Sequence, residues 1–308
     1  MSNRIAVTGA TGFIGRHLAI ALASAGYEVR ALVRRDDARL LAGGISLWRG
    51  DLDGSLDGLV EGCAAVVHVA GAVRGRDAPH FHRVNAEGTA RLAAASPAGS
   101  RFLLISSLAA RHPQLSPYAA SKAAGERLLL EHADRLQVAV IRPPAVYGPE
   151  DRATLPLLRG LARGLLVHPA GRDARFSLLY ANDLVRLACS LLADPPPSGT
   201  ILEPDDGMSG GYGWSALAAI AGDRLGRRVR TVGVPRLPMI WTAWLSEQYG
   251  RRSREPPILS RGKVAELYHR DWVSDTRAMV LAPRWQPQVR FGDGLMASLA
   301  WYRDAGWL

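Results

Sequence analysis

The sequence predicts an α/β fold built on a doubly wound parallel sheet, with a smaller, discontinuous C-terminal lobe. Over residues 1–145, short apolar runs alternate with helix-like stretches, as expected when parallel strands are joined by crossover helices. Ala64–Val69 is continuously apolar, which is typical of a parallel strand buried on both faces. The 308 residues are 48% hydrophobic and 21% charged, ordinary globular values that exclude wholesale disorder.

Each predicted element follows from its local pattern. In the first helix, apolar residues recur at helical spacing from Phe13 to Leu22, and Gly26 ends it. Further helices are predicted at Val84–Ala95 and Pro117–Ala133. Strands are predicted at Arg4–Val7, Glu28–Val33, Ser46–Arg49, Ala64–Val69, Arg101–Ile105 and Gln137–Ile141.

The alternation breaks after Arg142-Pro143-Pro144. Residues 150–176 predict a helix plus a loop, Asn182–Ala193 a helix and Thr200–Leu202 a strand, and the chain from 205 onward reads as loop and helix. The predicted organisation is therefore a first domain of residues 1–149, with 177–202 returning to it, and a smaller lobe of residues 150–176 and 203–308.

The charge is basic and uneven. The chain has 38 Lys and Arg against 28 Asp and Glu, a formal net charge of +10, and its only lysines are Lys122 and Lys263. Ten of the basic residues fall within 224–263, against Glu247 and Glu255. We favour a solvated, arginine-rich surface there; a contact with acidic lipid, nucleic acid or an anionic substrate is the alternative.

Pro235–Leu245, inside this basic segment, is apolar and rich in tryptophan, yet too short to span a bilayer. Three interpretations stay open, in order of preference: a helix packed in the small lobe, a lid or wall of an apolar substrate pocket, and a contact with a membrane surface.

Other features indicate an ordinary cytoplasmic protein. With no apolar run of 18 residues, we expect neither a spanning helix nor a secretory signal, and because Cys63 and Cys189 cannot form a disulfide framework, we expect inert thiols. His80 and His82 lack partners at ligand spacing, and we expect no metal.

A glycine-rich turn joins the first strand to the first helix. Gly9 permits the sharp exit from the strand, Gly12 lets a pyrophosphate approach the backbone, and Gly15 lets the helix pack against the sheet. The N–H groups of a helix N-terminus bind phosphate. We therefore predict a dinucleotide site formed by Gly9, Thr11, Gly12, Phe13, Ile14 and Gly15.

The residues after the second strand predict NADP(H) rather than NAD(H). Arg34 and Arg35 stand where an NAD-selective site places an acid, and a guanidinium matches a 2′-phosphate in charge and geometry. Asp36 or Asp37 would reach the ribose only if the strand ended later. Further cofactor contacts are predicted at Asp51 and Leu52, near the adenine, and at the small residues Val69, Ala70 and Gly71.

Tyr118 and Lys122 lie four residues apart on a predicted helix and therefore share a face. An ammonium one turn from a phenol stabilises the phenolate and brings its proton affinity toward the working range. Because only two of the 38 basic residues are lysines, a lysine at position 122 indicates that an ammonium group is needed there. Ser106 and Ser107 end a predicted strand at the edge where ligands of parallel sheets bind, so Ser107 is a candidate to hold a reacting oxygen and Ser106 to contact the cofactor.

Together these motifs resemble the extended short-chain dehydrogenases/reductases, the NAD-dependent epimerase/dehydratase family that also contains 3β-hydroxysteroid dehydrogenases and dihydroflavonol reductases. The resemblance covers most of residues 4–202 and is carried by Thr8–Gly15, Gly50-Asp51-Leu52, Val84–Thr89, Ser106-Ser107, Tyr118–Lys122, Arg142–Pro149 and Asn182-Asp183-Leu184.

The resemblance implies an NAD(P)-binding Rossmann sheet and a homodimer that pairs through the helix Pro117–Ala133. It implies that Tyr118 is the catalytic acid/base, Lys122 its activator and a cofactor ligand, and Ser107 the hydroxyl that orients the carbonyl. Pro143 and Val146 would line the nicotinamide pocket.

Departures from the sugar-epimerase pattern favour the reductase interpretation. Tyr118 follows Ser107 by only eleven positions, Leu108 and Ala109 replace small polar residues, and Arg34-Arg35 replaces an acidic pattern. The prediction is an NADP-dependent oxidoreductase that transfers a hydride to or from a carbinol or ketone carbon of a small-molecule substrate, apolar or nucleotide-linked. Two alternatives stay open: a nucleotide-sugar epimerase or dehydratase with retained cofactor and Arg175 near the pyrophosphate, and a non-catalytic NADP-binding sensor or scaffold. No nucleic-acid partner is expected, and membrane contact is less favoured.

Overall fold

The computed structural model describes residues 3–171, 173–253, 257 and 259–308. The strands are β1 Arg4–Thr8, β2 Glu28–Val33, β3 Ser46–Arg49, β4 Ala65–His68, β5 Arg101–Ile105, β6 Gln137–Ile141, β7 Ala145–Tyr147, β8 Leu165–Pro169, β9 Arg175–Phe176, β10 Leu178–Tyr180, β11 Thr200–Leu202, β12 Arg230–Val234 and β13 Asp271–Trp272. The α-helices are α1 Phe13–Ser24, α2 Ala38–Ala42, α3 Asp57–Val60, α4 Ala78–His82, α5 Gly88–Ala95, α6 Pro117–Leu130, α7 Leu155–Ala162, α8 Ala181–Ala193, α9 Trp214–Leu225, α10 Arg236–Ser253, α11 Arg261–Leu267 and α12 Phe291–Asp304.

Seven strands form one parallel sheet in the order β3-β2-β1-β4-β5-β6-β11. The strand order reverses between β1 and β4, where the register pairs Thr8 with His68. Ligands of doubly wound sheets bind at this point, beyond the carboxyl ends of the strands. The predicted α/β Rossmann fold is confirmed.

The sheet forms because its central strands are apolar on both faces. Every residue of β4 is buried, as is every residue of β1 after Arg4. The core on one side of the sheet gathers Val66, Phe102 and Val138 from three strands and Leu92 and Leu129 from the helices. Burial on both faces removes the alternation that a half-exposed strand would show.

The described chain divides into two compact units. The first consists of residues 1–142, 184–203 and 276–286, and the second of residues 143–183, 204–275 and 287–308. These boundaries differ from the predicted 1–149 and 177–202. Residues 145–147 pair with β10 rather than with the main sheet. A 3₁₀ turn, Thr276–Leu281, lies against β11 and so belongs to the first unit.

The second unit has its own core and small sheets. Its core is rich in aromatic side chains, with Tyr147, Tyr212, Phe291 and Tyr302 among its buried members. β8 and β12 form a parallel pair, although the sequence predicted only helix and loop there. The prediction missed β12 because it is almost wholly exposed and lacks an apolar pattern.

Two further observations concern helices. The stretch predicted as one helix, Val84–Ala95, begins as a π-helical turn at Arg83–Glu87 and continues as α5. A π-turn shifts the residues within it relative to the helix that follows. Asp183 lies in the first turn of α8, and its carboxylate accepts the backbone N–H groups of Gln288 and Val289. In the part of the chain described, no helix is both long and apolar enough to cross a bilayer.

Candidate active site

The glycine turn brings β1, β4 and α1 into contact through their backbones. Gly9 has a φ of +72°, and a Cβ on it would lie 2.5 Å from the Ala70 nitrogen. A Cβ on Gly15 would overlap the carbonyl oxygen of Gly9. Only glycine fits either position, so the sequence predicted this turn for the right steric reason.

The turn fits a dinucleotide phosphate. α1 begins after Gly12, which is exposed and has no side chain to cap the helix, so the first-turn N–H groups face outward without a side-chain acceptor from the cap residue. Thr11 is exposed beside it, and Phe13 and Ile14 are half-buried in the first turn. These residues would hold the pyrophosphate.

At the end of β2, basic and acidic residues have different environments. Arg34 and Arg35 are exposed and, among the described residues, make no ion pair or hydrogen bond. Asp36 instead pairs with Arg49 at 2.5 Å, and Asp37 pairs with Arg16 at 3.0 Å. The strand ends at Val33, as predicted.

Asp37 has a second role besides its ion pair: its carboxylate also accepts the N–H groups of Arg39 and Leu40 and so caps α2. Partial burial raises the pKa of the Asp37 carboxyl, but the hydrogen bonds that it accepts from Arg16 and from the α2 backbone lower that pKa overall. Both carboxylates near the expected ribose position are thus occupied, whereas the two guanidinium groups are available to a phosphate.

The remaining predicted cofactor contacts lie beyond β3 and β4. Asp51 is exposed, and its Oδ1 accepts the N–H groups of Asp53 and Gly54 at 2.9 and 3.0 Å, which holds the turn after β3. Leu52 packs against the core of the first unit. Val69 and Ala70 are half-buried and Gly71 is exposed, so a planar ring of the cofactor would meet few bulky side chains there.

The candidate acid/base, Tyr118, lies in the first turn of α6. Pro117 supplies the fixed φ that favours the first helical position, and the Ser116 hydroxyl caps the helix through the Ala119 N–H at 2.9 Å. The half-buried ring of Tyr118 packs edge-on against Phe81 of α4, with ring centroids 6.2 Å apart.

Lys122, one turn along the same helix, is buried. Its Nζ donates to the backbone carbonyl of Ile105, at the end of β5, at 2.9 Å. A Cβ on Gly71 would lie 3.6 Å from this amine, so Lys122 reaches the segment predicted to contact the cofactor. Burial lowers the pKa of Lys122 to about 8, although the nearby Glu126 carboxylate opposes the shift.

The two serines after β5 differ. Ser106 is buried, and its hydroxyl donates to the Glu126 carboxylate. Ser107 is half-buried and begins a 3₁₀ turn at Leu108–Arg111, where its Oγ accepts the Ala109 N–H at 3.2 Å. This contact leaves the hydroxyl proton of Ser107 available to another acceptor.

Glu126 is a residue that the sequence reasoning missed. Its buried carboxylate accepts both the Ser106 hydroxyl and the Arg142 guanidinium, whose Nη2 lies 2.6 Å away. Arg142 also pairs with Glu203, and Glu203 with Arg111. A signal was present in the sequence: Glu126 lies one turn after Lys122 and therefore on the same face of α6.

A buried hydrogen-bond chain through His68 connects the turn to the helices. Thr89 donates its hydroxyl proton to the Asn85 carbonyl at 2.7 Å, so its oxygen accepts from Nε2–H of His68 at 3.0 Å. His68 Nδ1 then accepts the Thr8 hydroxyl at 2.6 Å, and Thr8 accepts the Ala70 N–H at 3.3 Å. Each polar group in the chain is satisfied with one assignment of protons.

His68 is neutral in this position. Burial, reinforced by the positive charge of Lys122, lowers the pKa of His68 to about 3. His68 therefore adds no positive charge beside Lys122 at neutral pH. From the sequence alone, no role was assigned to His68.

Asn85, in the π-helical turn, fixes the loop after β4 to α6. Its amide exchanges hydrogen bonds with the backbone of Ala72 at 2.7 and 3.0 Å and donates to the Ser121 hydroxyl at 2.9 Å. Ser121 lies between Tyr118 and Lys122 and donates to the Tyr118 carbonyl. The predicted catalytic helix is thus tied to the segment that follows β4.

Two predicted cofactor contacts belong to the second unit. Pro143 is buried, and Val146 lies in β7 opposite Leu179 of β10. Their contact with the nicotinamide stays a prediction.

A parallel Rossmann sheet, a glycine turn at its switch point and a Tyr–Lys pair on the adjacent helix define an NAD(P)-dependent enzyme of the extended short-chain dehydrogenase/reductase class. The chain belongs to the NAD-dependent epimerase/dehydratase family, whose model matches residues 5–201. The predicted recognition of this family is confirmed.

The relatives include reductases and epimerases. The chain is 36% identical to the ceramide reductase of Caulobacter vibrioides over 317 aligned residues, which cover 99% of this chain and 96% of that protein. It is 28% identical to the UDP-glucose 4-epimerase of Vibrio cholerae, covering 67% of this chain and 72% of the epimerase. Among solved structures, MoeE5 in complex with UDP-glucose and NAD superposes with a TM-score of 0.75 at 24% identity, covering 98% and 99% of the two chains.

Proposed function

We propose that the protein is an NADP-dependent ketoreductase that reduces a ketone on a long-chain, ceramide-like lipid to the corresponding alcohol. The observation that carries the proposal is the match to the ceramide reductase, which runs the length of both chains at 36% identity. The epimerase match is weaker and covers 67% of this chain.

The reaction adds a hydride to the ketone carbon and a proton to its oxygen, giving a secondary alcohol. NADPH, when bound, supplies the hydride. Tyr118 donates the proton, and the Ser107 hydroxyl donates a hydrogen bond to the same oxygen and orients it. The buried Lys122 ammonium favours the tyrosinate that is left, because opposite charges attract strongly where water is excluded.

The choice of NADP rests on the end of β2. Arg34 and Arg35 are exposed and without partners among the described residues, while Asp36 and Asp37 are bound to Arg49 and Arg16. This arrangement supports recognition of a 2′-phosphate, since two guanidinium groups attract it and no available carboxylate repels it.

A direct test offers the purified protein NADPH or NADH together with the keto form of a ceramide, and follows absorbance at 340 nm. We expect oxidation of NADPH in proportion to alcohol formed, and slower oxidation of NADH. Absence of net oxidation with the lipid, combined with interconversion of UDP-sugars by a tightly retained cofactor, would instead support the epimerase alternative.

A further inference from the structure

One helix of the second unit is apolar on its solvent-facing side. The 18-residue helix α10 points Ala243 and Gly250 inward, where both are buried, and Glu247 toward Arg261 of α11. The opposite side carries exposed apolar side chains at four-residue spacing, and we call this set the α10 stripe: Leu237 at 71% exposure, Trp241 at 66%, Leu245 at 59% and Tyr249 at 70%, with Trp244 at 41% beside them.

This pattern reverses that of a surface helix in a water-soluble protein, which exposes its polar face. A contiguous set of large apolar side chains in water is costly, and it marks an interaction surface. Tryptophan and tyrosine have an apolar body and a polar group, a combination that suits a boundary between water and hydrocarbon.

Basic residues flank the stripe along the chain. Arg236 begins α10 and Arg252 lies near its end, and Arg228 and Arg230 precede it; all four are exposed and form no ion pair with any described residue. The acidic residue described between 224 and 263 is Glu247, which is occupied by Arg261 at 2.9 Å. Arg254 and Glu255 lie outside the described residues.

The positive charge of these arginines favours an anionic membrane over a second copy of the chain as the partner of the stripe. A second copy of the chain would bring an equally basic segment to the contact, and the two would repel each other. A membrane surface with anionic lipid instead attracts the arginines and takes up the apolar side chains beneath them.

We propose that the α10 stripe docks this protein onto the surface of a membrane that contains anionic phospholipid. The helix lies in the interface, with its tryptophans at the level of the headgroups and the flanking arginines on the lipid phosphates. The inference concerns a surface and not the reaction, so it holds whichever ketone or sugar the enzyme converts.

Flotation of the full chain with vesicles tests the proposal without any turnover. Vesicles of phosphatidylcholine mixed equally with phosphatidylglycerol should carry the protein upward, and pure phosphatidylcholine should not. Binding should weaken as salt is raised, because salt screens the arginines. Failure to bind the anionic vesicles at low salt would overturn the proposal.

Substitutions assign the binding to the stripe. The double variant Trp241→Glu with Leu245→Glu should lose at least about tenfold in vesicle affinity, because it places charge where apolar surface is to be buried. The matched control Val280→Glu changes an apolar residue that is 76% exposed outside α10 and should bind as the wild type does. An unchanged double variant, or an equally impaired control, would refute the assignment.

Two further measurements complete the test. Arg236→Gln with Arg252→Gln should lower affinity for anionic vesicles by about tenfold while preserving the melting temperature. Sedimentation velocity of the wild type and the double variant tests self-association. A wild-type dimer that the double variant converts to a monomer, without vesicle binding by either, would show that a second copy covers the stripe and would overturn the membrane proposal.

Discussion

The two flanks of the glycine turn in the first unit are built in opposite ways. On the flank formed by β4, β5 and α6, His68, Lys122 and Glu126 are buried, and each hydrogen-bonds to a protein group. On the flank formed by the end of β2, Arg34 and Arg35 are exposed and have no partner in the described part of the chain.

The difference fits the roles proposed for the two flanks. Proton transfer needs a low-dielectric site in which dipoles are fixed before the reaction, so its polar groups are buried and already paired. Recognition of a phosphate needs charges that stay available until the ligand arrives. Substitutions on the buried flank should therefore affect rate and stability, and those on the exposed flank should affect cofactor choice alone.

The largest effect is expected for Tyr118→Phe, which removes the proton donor and keeps the ring that packs on Phe81. We expect kcat to fall about a thousandfold. Fluorescence titration with NADPH should show nearly unchanged affinity. Turnover close to that of the wild type would contradict the role assigned to Tyr118.

The next effect is a loss of activity at alkaline pH. Because burial lowers the pKa of Lys122 to about 8, the ammonium is lost as pH rises through that value, and kcat/KM should decline above it. The protein should not unfold at the same time. Between about 8 and the ordinary value of 10.5 the unfolded chain binds more protons at this group than the folded one, so its contribution to stability grows with pH.

Thermal melts recorded over the same pH range separate the two effects. An activity loss that follows a fall in melting temperature would contradict the assignment to Lys122, as would an activity that is flat up to pH 10.

A moderate effect on stability is expected from His68→Asn. The pKa of His68 is about 3 when folded and 6.5 when unfolded, so the unfolded state gains a proton first and stability falls as pH drops from 6.5 toward 3. The variant should be less stable at pH 7 by about 1–3 kcal/mol, because Thr8 and Thr89 lose their partner.

Urea unfolding between pH 7 and pH 4 measures both consequences. The variant should lose stability less steeply than the wild type as pH falls. His82→Asn, which changes an exposed histidine, is the matched control. Equal slopes for the wild type and His68→Asn would contradict the neutral, buried role of His68.

The smallest expected effect is confined to the exposed flank. Arg34→Ala should weaken NADP binding about tenfold to a hundredfold and leave NAD binding unchanged, with no loss of stability. Arg127→Ala, a similarly exposed arginine on α6, is the control. Equal losses for NADP and NAD, measured by calorimetry, would remove the argument for a 2′-phosphate.

The sequence predicted the main sheet well because burial on both faces leaves a strong local signal. The bounds of β2, β3, β5, β6 and β11 coincide with the predicted runs. The second unit was predicted less well, since β8 and β12 form a small sheet whose second strand is exposed. A strand that is stabilised by hydrogen bonds to a neighbouring strand rather than by burial shows little apolar pattern in its sequence.

The candidate site was predictable at positions where a single residue type meets the physical requirement. Gly9 and Gly15 are positions that only glycine fits, and Lys122 stood out in a chain of arginines. The supporting contacts were not predictable: helical spacing places Glu126 on the Lys122 face of α6, but Ser106 and Arg142 meet its carboxylate only in three dimensions. The catalytic and cofactor roles of these residues stay predictions.

The scarcity of lysine has a practical consequence. Lys263 is largely exposed, its side chain at 56%, whereas Lys122 is buried beside the expected cofactor position. An amine-reactive reagent should therefore modify Lys263 readily and Lys122 slowly, and a ligand that covers Lys122 should suppress the second reaction alone. Mass spectrometry of acylated peptides could then report occupancy of the site beside Lys122 without a known substrate.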